Sequence, residues 1–234
     1  MNLRKRSYQP ELLDADAIPF EDIYLNMKEL NVINTWLGGH AITVNGFKQF
    51  VKNKNQITVC EIGCGGGDNL KVIAEFCIQQ RILLSVIGID KNASCIEVAK
   101  KLNGNWVDSK WIVADYASVV FQQKPDIIFS SLFCHHFTET QLNFQLLWMQ
   151  QNSRLGFFIN DLHRNYVAYY SILLLTKLFS KSYLVKHDAP LSVARGFIKK
   201  EWETLLQVAA IHYYSVTWKW AFRYLIIVRH EISN

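Results

Sequence analysis

Residues 57–70 read ITVCEIGCGGGDNL, a short apolar, β-branched run that passes into a turn where four of five residues are glycine. Glycine adopts positive φ and lets the backbone come close to a neighbour, so such a turn joins a strand to a helix in little space. The alternation then repeats. Leu83–Ile89 (LLSVIGI), Lys110–Ala114 (KWIVA), Asp126–Ser131 (DIIFSS) and Leu155–Ile159 (LGFFI) are apolar runs of strand length. Asn69–Gln80, Ala93–Leu102 and Thr138–Gln151 between them read as helices, the first with Leu70, Ile73, Ala74 and Cys77 at helical spacing. Apolar strands alternating with helices predict a mostly parallel sheet, covered on both faces and built with right-handed crossovers.

The flanks add further elements. Phe20–Gly38 has Ile23, Met27, Leu30, Asn34 and Leu37 at spacings of three and four, and Gly38-Gly39 ends it. A short helix is expected over 41–51, followed by a polar linker over 52–56. Beyond Asp161 the pattern predicts an apolar helix over Tyr166–Phe179, a polar loop over 180–189 and a helix over 199–210. Two terminal strands, 211–219 and 222–228, read as an antiparallel hairpin closing the sheet. The expected organisation is an N-terminal helical cap over 1–56 and one α/β domain over 57–234, with a helical lid inserted at about 165–197.

Composition supports one domain with additions. The chain has 234 residues, half of them hydrophobic and 19% charged, enough to bury a large core. The net charge of +5 is scattered. Its densest cluster, Arg4-Lys5-Arg6, reads as a solvated basic tail, and no basic stripe suggests nucleic acid. Five cysteines, an odd number with no CxxC pair, argue against a disulfide framework or structural zinc. Reduced thiols in a cytoplasmic protein fit that usage. The N-terminus has no apolar stretch of signal-peptide type. Tyr166–Phe179 falls short of the roughly 20 apolar residues a spanning helix needs. No integral span is expected, and peripheral contact with a membrane surface stays open.

Three motifs carry chemistry. Glu61-x-Gly63-x-Gly65-x-Gly67 lacks the spacing of the dinucleotide fingerprint, because Asp68 stands where that pattern needs glycine. No Gly-Lys-Ser/Thr follows, so it is not a P-loop either. A small zwitterionic ligand suits it better than a pyrophosphate. Asp90 ends the second strand, where a carboxylate accepts from both ribose hydroxyls of a nucleoside, or caps the next helix. Asp115-Tyr116 ends the third, where a carboxylate accepts from an adenine amino group beside an aromatic ring.

These stretches, VCEIGCGGGDNL (59–70), VIGIDKN (86–92), WIVADY (111–116) and DIIFSSLFCHHF (126–137), resemble the class I, Rossmann-like methyltransferases that use S-adenosylmethionine (SAM). The likeness is to bacterial small-molecule enzymes of the ubiquinone/menaquinone-biosynthesis type. RSYQPELLD near the start, INTWLGG (33–39), NDLHR (160–164) and KHDAPLSVARGF (186–197) resemble a bacterial subgroup accompanying polyketide-type biosynthesis. The resemblance implies a three-layer α/β fold. Its seven-stranded, mostly parallel sheet would carry an antiparallel C-terminal hairpin, N-terminal helices and a helical insertion after the fifth strand. It implies that Gly63, Gly65 and Gly67, with Cys64 and Asn69 in the same turn and helix start, approach the methionine part of SAM. Glu61 would act near its amino group, Asp90 on the ribose with Lys91 beside the adenine, Asp115 and Tyr116 on the base, and Ser131 near the sulfonium.

Methyl transfer from a sulfonium is an in-line displacement, so the protein chiefly positions the acceptor and removes its proton. The candidates for that task are His135 and His136 after the fourth strand, and Asp161 and His163 after the fifth. A histidine pair at this place also shapes pockets by hydrogen bonding. No metal is expected, since Asp161 with Asn160 is too few ligands for a hard cation. The aromatic residues Trp36, Phe47, Tyr166, Tyr169, Tyr170, Phe179 and Tyr183 of the cap and lid suit a small hydrophobic acceptor, a phenolic polyketide or quinone precursor. Methyltransferases acting on nucleic-acid amino groups carry Asn/Asp-Pro-Pro-aromatic after the fourth strand. Here the position reads Ser130-Ser131-Leu132-Phe133, against a base acceptor. O-methylation of a small molecule is therefore the leading expectation. C- or carboxyl-methylation and a non-catalytic SAM-binding regulator are the alternatives, and Asp68 argues against an NAD enzyme. Monomer and homodimer stay equally open.

Overall fold

The computed structural model describes residues 2–15, 17–103 and 108–230. Helices α1 (Phe20–Trp36) and α2 (Gly39–Lys48) precede strand β1 (Gln56–Ile62). The alternation continues through α3 (Asp68–Gln80), β2 (Leu83–Asp90), α4 (Ala93–Asn103), β3 (Asp108–Val113), β4 (Ile127–Ser131), α5 (Glu139–Asn152) and β5 (Gly156–Leu162). Three helices follow, α6 (Tyr166–Phe179), α7 (Tyr183–Arg195) and α8 (Lys199–Val208), then β6 (Tyr214–Lys219) and β7 (Arg223–Arg229). The seven strands form one sheet in the order β3-β2-β1-β4-β5-β7-β6. The first five are parallel, and β7 runs antiparallel to both β5 and β6. This is the seven-stranded α/β sheet with a C-terminal hairpin that the sequence predicts.

Successive residues of a strand face opposite sides of the sheet, and the core divides accordingly. Val59, Val86, Phe129, Phe158 and Leu225 pack with α2, α3 and α4 through Phe47, Leu70, Ile73 and Ile96. Cys60, Ile128, Phe157, Ile159 and Ile226 pack with α5 and α8 through Leu142, Leu146, Trp202 and Leu206. Burying each such side chain contributes about 1.5–3 kcal/mol. Among the described residues all five cysteines are buried free thiols. The strand order reverses between β1 and β4, so their carboxyl ends open a crevice where a ligand can sit.

Three expectations need correction. Residues 183–195 form a helix where a polar loop over 180–189 is expected. Its buried face contains Asp188 and Arg195 beside Leu184, Val185, Leu191 and Ala194, so an apolar periodicity could not reveal it. Strand β5 runs on through Asn160, Asp161 and Leu162, because all three pair with β7. Arg6 is buried rather than solvated. Its Nε donates to Arg195 O and its Nη2 to Phe137 O, both at 3.0 Å, and the guanidinium lies over the Phe197 ring. Residues 2–14 therefore form a strap rather than a tail. Helix α6 buries Ala168 and Ile172 against α7 and α1 through Val193, Ile33 and Leu37. Among the described residues no helix is long and apolar enough to cross a membrane.

Candidate active site

The glycine turn is shaped by what surrounds it. Gly63 has φ 66°, and a Cβ there would lie 2.2 Å from the Phe133 ring. Gly67, at φ 73°, caps α3, and a Cβ there would meet Asn103 and Trp111 at 2.7 Å. The Gly65 N–H donates to Asp90 Oδ2 at 2.9 Å, and the Asn92 N–H donates to Asp90 Oδ1 at 2.9 Å. The tips of β1 and β2 are thus tied through one carboxylate. A carboxylate accepts about four hydrogen bonds, so Asp90 keeps capacity for ligand hydroxyls. Burial raises its pKa, and these two backbone donors oppose the rise. Asp115 is exposed and caps the turn over 116–118 by accepting from Ala117 N at 2.9 Å. Tyr116 is buried edge-on against Phe133, Phe137 and Trp148.

One cavity of about 1080 Å³ joins these tips. Of the expected cofactor residues, Glu61, Gly63, Cys64, Gly65, Asn69, Asp90, Lys91, Asp115, Tyr116 and Ser131 line it. Gly67 stands behind the wall. Glu61 is 1% exposed, and neither carboxylate oxygen has a hydrogen-bond partner among the described residues. Burial, then the charge of Asp68, pushes its pKa well above the usual range, while Asn69 acts the other way. A buried carboxylate without a donor on the wall of this cavity fits the ammonium of a ligand such as SAM. Together with the Asp90 tie and the left-handed glycines, it makes these residues a fit for that cofactor. Polar residues missed in the sequence share this end. Asp68 Oδ2 lies 2.7 Å from His40 Nε2 and accepts from Asn34 Nδ2 at 3.1 Å, and Asn34 Oδ1 accepts from Arg223 at 2.9 Å. Burial lowers the Arg223 guanidinium to about 10.

Beyond Ser131 the chain turns sharply. Leu132 has φ 53°, a left-handed conformation that costs a bulky residue about 1–2 kcal/mol. The Leu132 N–H donates to Asn160 O at 2.9 Å, and the Asn160 amide donates to Gly39 O, Thr43 Oγ1 and Ser131 Oγ. The turn delivers His135 and His136 to the cavity wall. His135 is 2% exposed, with Nδ1 2.7 Å from Asp161 Oδ1 and Nε2 3.5 Å from Glu11 Oε1. His136 places Nε2 3.7 Å from Glu11 Oε2 and Nδ1 3.3 Å from Asp14 Oδ1. Burial opposes charge on His135, but Asp161 and then Glu11 carry it up to about 9. Burial opposes charge on Asp14 too, yet His136 holds it at about 2.

Glu11 and Asp14 belong to the N-terminal strap, and a motif search along the chain could not connect them with residue 135. The strap is fixed by Leu12 N and Leu13 N, which donate to the Asp188 carboxylate of α7. Arg195 donates to the carbonyls of His135, His136 and Gln9. The other two expected catalytic residues lie elsewhere. Asp161 stands behind His135 and is fully buried. His163 is outside the cavity lining, accepting from Trp218 Nε1 at 3.3 Å and packing on Tyr224. Arg164 is buried in a two-point pair with Glu201, at 2.7 and 3.0 Å. The far end of the cavity is apolar, walled by Leu37, Leu162, Ala168, Ile172, Val193 and Phe222.

The fold and the central segment have counterparts among known proteins. Residues 59–148 match the family model described as a methyltransferase domain. No curated protein matches the chain in sequence. Among solved structures, the plantazolicin methyltransferase BpumL, in complex with a pentazolic desmethylPZN analog and SAH, superposes with a TM-score of 0.64 at 18% identity. That match covers 90% of this chain and 91% of the other. Human N-acetylserotonin methyltransferase in complex with SAM gives 0.63 at 13% identity, covering 90% of this chain and 56% of the other. Magnesium protoporphyrin IX methyltransferase from Synechocystis with bound SAM gives 0.50 at 11%, covering 93% and 86%. The switch-point crevice and the acidic strand tips thus lie in the segment that resembles a methyltransferase domain, on a fold shared with these SAM- and SAH-bound structures.

Proposed function

We propose that the chain transfers a methyl group from SAM to a hydroxyl oxygen of a small apolar or aromatic acceptor. The observation that carries this reading is the continuity of the cavity. It joins the strand tips, the histidine pair and an apolar wall in one space of about 1080 Å³, above the usual range for a single small-ligand pocket. Glu61 takes the ammonium of SAM and Asp90 its ribose. Lys91, Asp115 and Tyr116 border the adenine, and Ser131 borders the sulfonium. The acceptor lies against Leu37, Ile172 and Phe222 with its hydroxyl toward His136. Its oxygen forms the new O–C bond as the C–S bond breaks. The bonding pair stays on sulfur, leaving the neutral thioether of SAH, and the hydroxyl proton passes to the carboxylate–histidine cluster. Holding donor and acceptor in line supplies most of the rate enhancement. Incubation with methyl-labelled SAM and a panel of phenols, hydroxyquinones and fatty acids tests the reading. Label on phenolic or quinol oxygen is expected. Label only on carboxylates, or SAM binding without transfer to any acceptor, overturns it.

A further inference from the structure

The geometry points to a divalent transition-metal site formed by Glu11, His135 and His136 at the acceptor end of the cavity. We propose that Zn²⁺ or a similar first-row cation binds there and holds the acceptor oxygen, a role that rests on the methyltransferase reading above. The three residues bring one ligand atom each to within 4.8 Å of one another. The Glu11 oxygens stand 3.5 Å from His135 Nε2 and 3.7 Å from His136 Nε2. Ligands about 2.1 Å from a tetrahedral zinc are separated by roughly 3.4 Å, so both Glu11–histidine edges are within a few tenths of an ångström of that spacing, and side-chain rotation has to bring the third edge in from within 4.8 Å. Charge-assisted hydrogen bonds run to about 2.7–2.9 Å, so both contacts are too long to be such bonds. His135 Nε2 is buried with no hydrogen-bond partner among the described residues.

What stands behind the ligands supports the assignment independently. Each histidine turns its other ring nitrogen to a carboxylate, His135 to Asp161 at 2.7 Å and His136 to Asp14 at 3.3 Å. For His135 that is the carboxylate–histidine–metal arrangement that orients the ring, with a bound cation displacing the Nε2 proton; the His136–Asp14 contact is a longer ion pair on the same side. Three carboxylates, Glu11, Asp14 and Asp161, thus converge on two imidazoles. Ser192 Oγ donates to Glu11 Oε1 at 2.7 Å, and Arg195 pairs with Glu11 and Asp14 only at the outer limit of ion-pair distance. Arg6 donates to the carbonyls of Arg195, His135 and Phe137, and Arg195 comes no nearer to Glu11 than 4.0 Å and to Asp14 than 3.9 Å. Two imidazole nitrogens and one carboxylate suit zinc and its neighbours rather than magnesium or calcium, which prefer oxygen. All three ligands line the cavity, so a fourth position opens where the acceptor hydroxyl would come, as in zinc sites that act on substrates. A hydroxyl held there would give up its proton more readily, because the cation would stabilise the oxyanion, and with both Nε2 atoms coordinating the proton would leave to water in the cavity instead of to the histidines.

Untagged full-length protein, stripped with chelator and titrated with Co²⁺ and Zn²⁺, tests the site. One equivalent is expected, with the visible absorption of four-coordinate cobalt bleached by zinc. Glu11→Gln and His136→Gln should each weaken binding at least a hundredfold, and Asp14→Asn roughly tenfold. Thermal melts keep these variants interpretable, and His136→Gln, the most exposed ligand, has the least effect on folding. The surface variant His187→Gln should bind like wild type. No stoichiometric uptake, or equal uptake by folded Glu11→Gln and His136→Gln, overturns the site. Full-rate methyl transfer by stripped enzyme overturns the acceptor role. Uptake with no methyl transfer to any acceptor leaves the site standing and overturns the proposed function.

Discussion

Replacing Glu61 by glutamine separates what the fold needs from what the cofactor needs, because the two effects have opposite signs. In the ligand-free protein Glu61 is a buried carboxylate whose oxygens have no hydrogen-bond partner among the described residues. Burial, Asp68 and Asp90 all disfavour its charge, and only Asn69 favours it. Its folded pKa therefore lies above the unfolded one. Its contribution to stability is complete below the unfolded value and is lost as pH rises through the folded value. Glutamine fills the same space without the charge. Above that window Glu61→Gln should stabilise the ligand-free protein by about 1 kcal/mol, or about 2–4 °C in a domain of this size. Cofactor binding should move the other way. A hydrogen bond to a charged group is worth about 1.5–3 kcal/mol, so SAH should bind roughly 10- to 150-fold more weakly. Wild-type affinity should rise with pH as Glu61 ionises, and the variant should be flat over the same range. Calorimetric titration with SAH at several pH values, with thermal melts of the ligand-free proteins, reads all three effects. If the variant binds SAH as tightly as wild type above the window, or keeps the wild-type pH slope, Glu61 does not hold the ammonium.

Three further outcomes are expected. Asp90→Ala should weaken SAM binding by about 1–3 kcal/mol, since the carboxylate that ties Gly65 and faces the cavity is gone; unchanged affinity in a folded variant removes the ribose assignment. Gly67→Ala must keep φ near 73° and place a methyl 2.7 Å from Asn103 and Trp111. It should cost about 2 kcal/mol in a denaturant melt, and an unshifted midpoint would show that the turn relaxes freely. Ala189→Trp, at the lid side of the cavity, should cut methyl transfer at least tenfold while leaving SAH affinity unchanged. A parallel loss of both would mean that this end does not belong to the acceptor.

That the strand tips proposed to hold the cofactor share one cavity was readable in the sequence because the tips are local features. The turn at 61–68, Asp90 and Asp115 each end an apolar strand, and a parallel sheet brings successive strand tips to one edge without further information. The parallel run of the first five strands and the C-terminal hairpin were also readable from the sequence pattern, while the spatial order of the strands was not. The acceptor half was not legible because its polar groups come from distant stretches. Glu11 meets His135 only because Asp188 and Arg195, inward-facing in a helix that reads as a polar loop, clamp the strap by its backbone. An apolar periodicity registers core-facing residues by their hydrophobicity, so a helix that buries an aspartate and an arginine is hidden from it. Asp161 was expected to reach the acceptor, yet its strand carries it behind His135, and His163, two residues on, faces Trp218 instead. The strand ends at Leu162, so its alternation of faces does not extend to His163, and adjacency in sequence to a catalytic position does not place a side chain in the same cavity. A carboxylate supplied from 124 positions earlier could be found only by asking what neutralises a buried histidine pair. That question belongs to the folded chain.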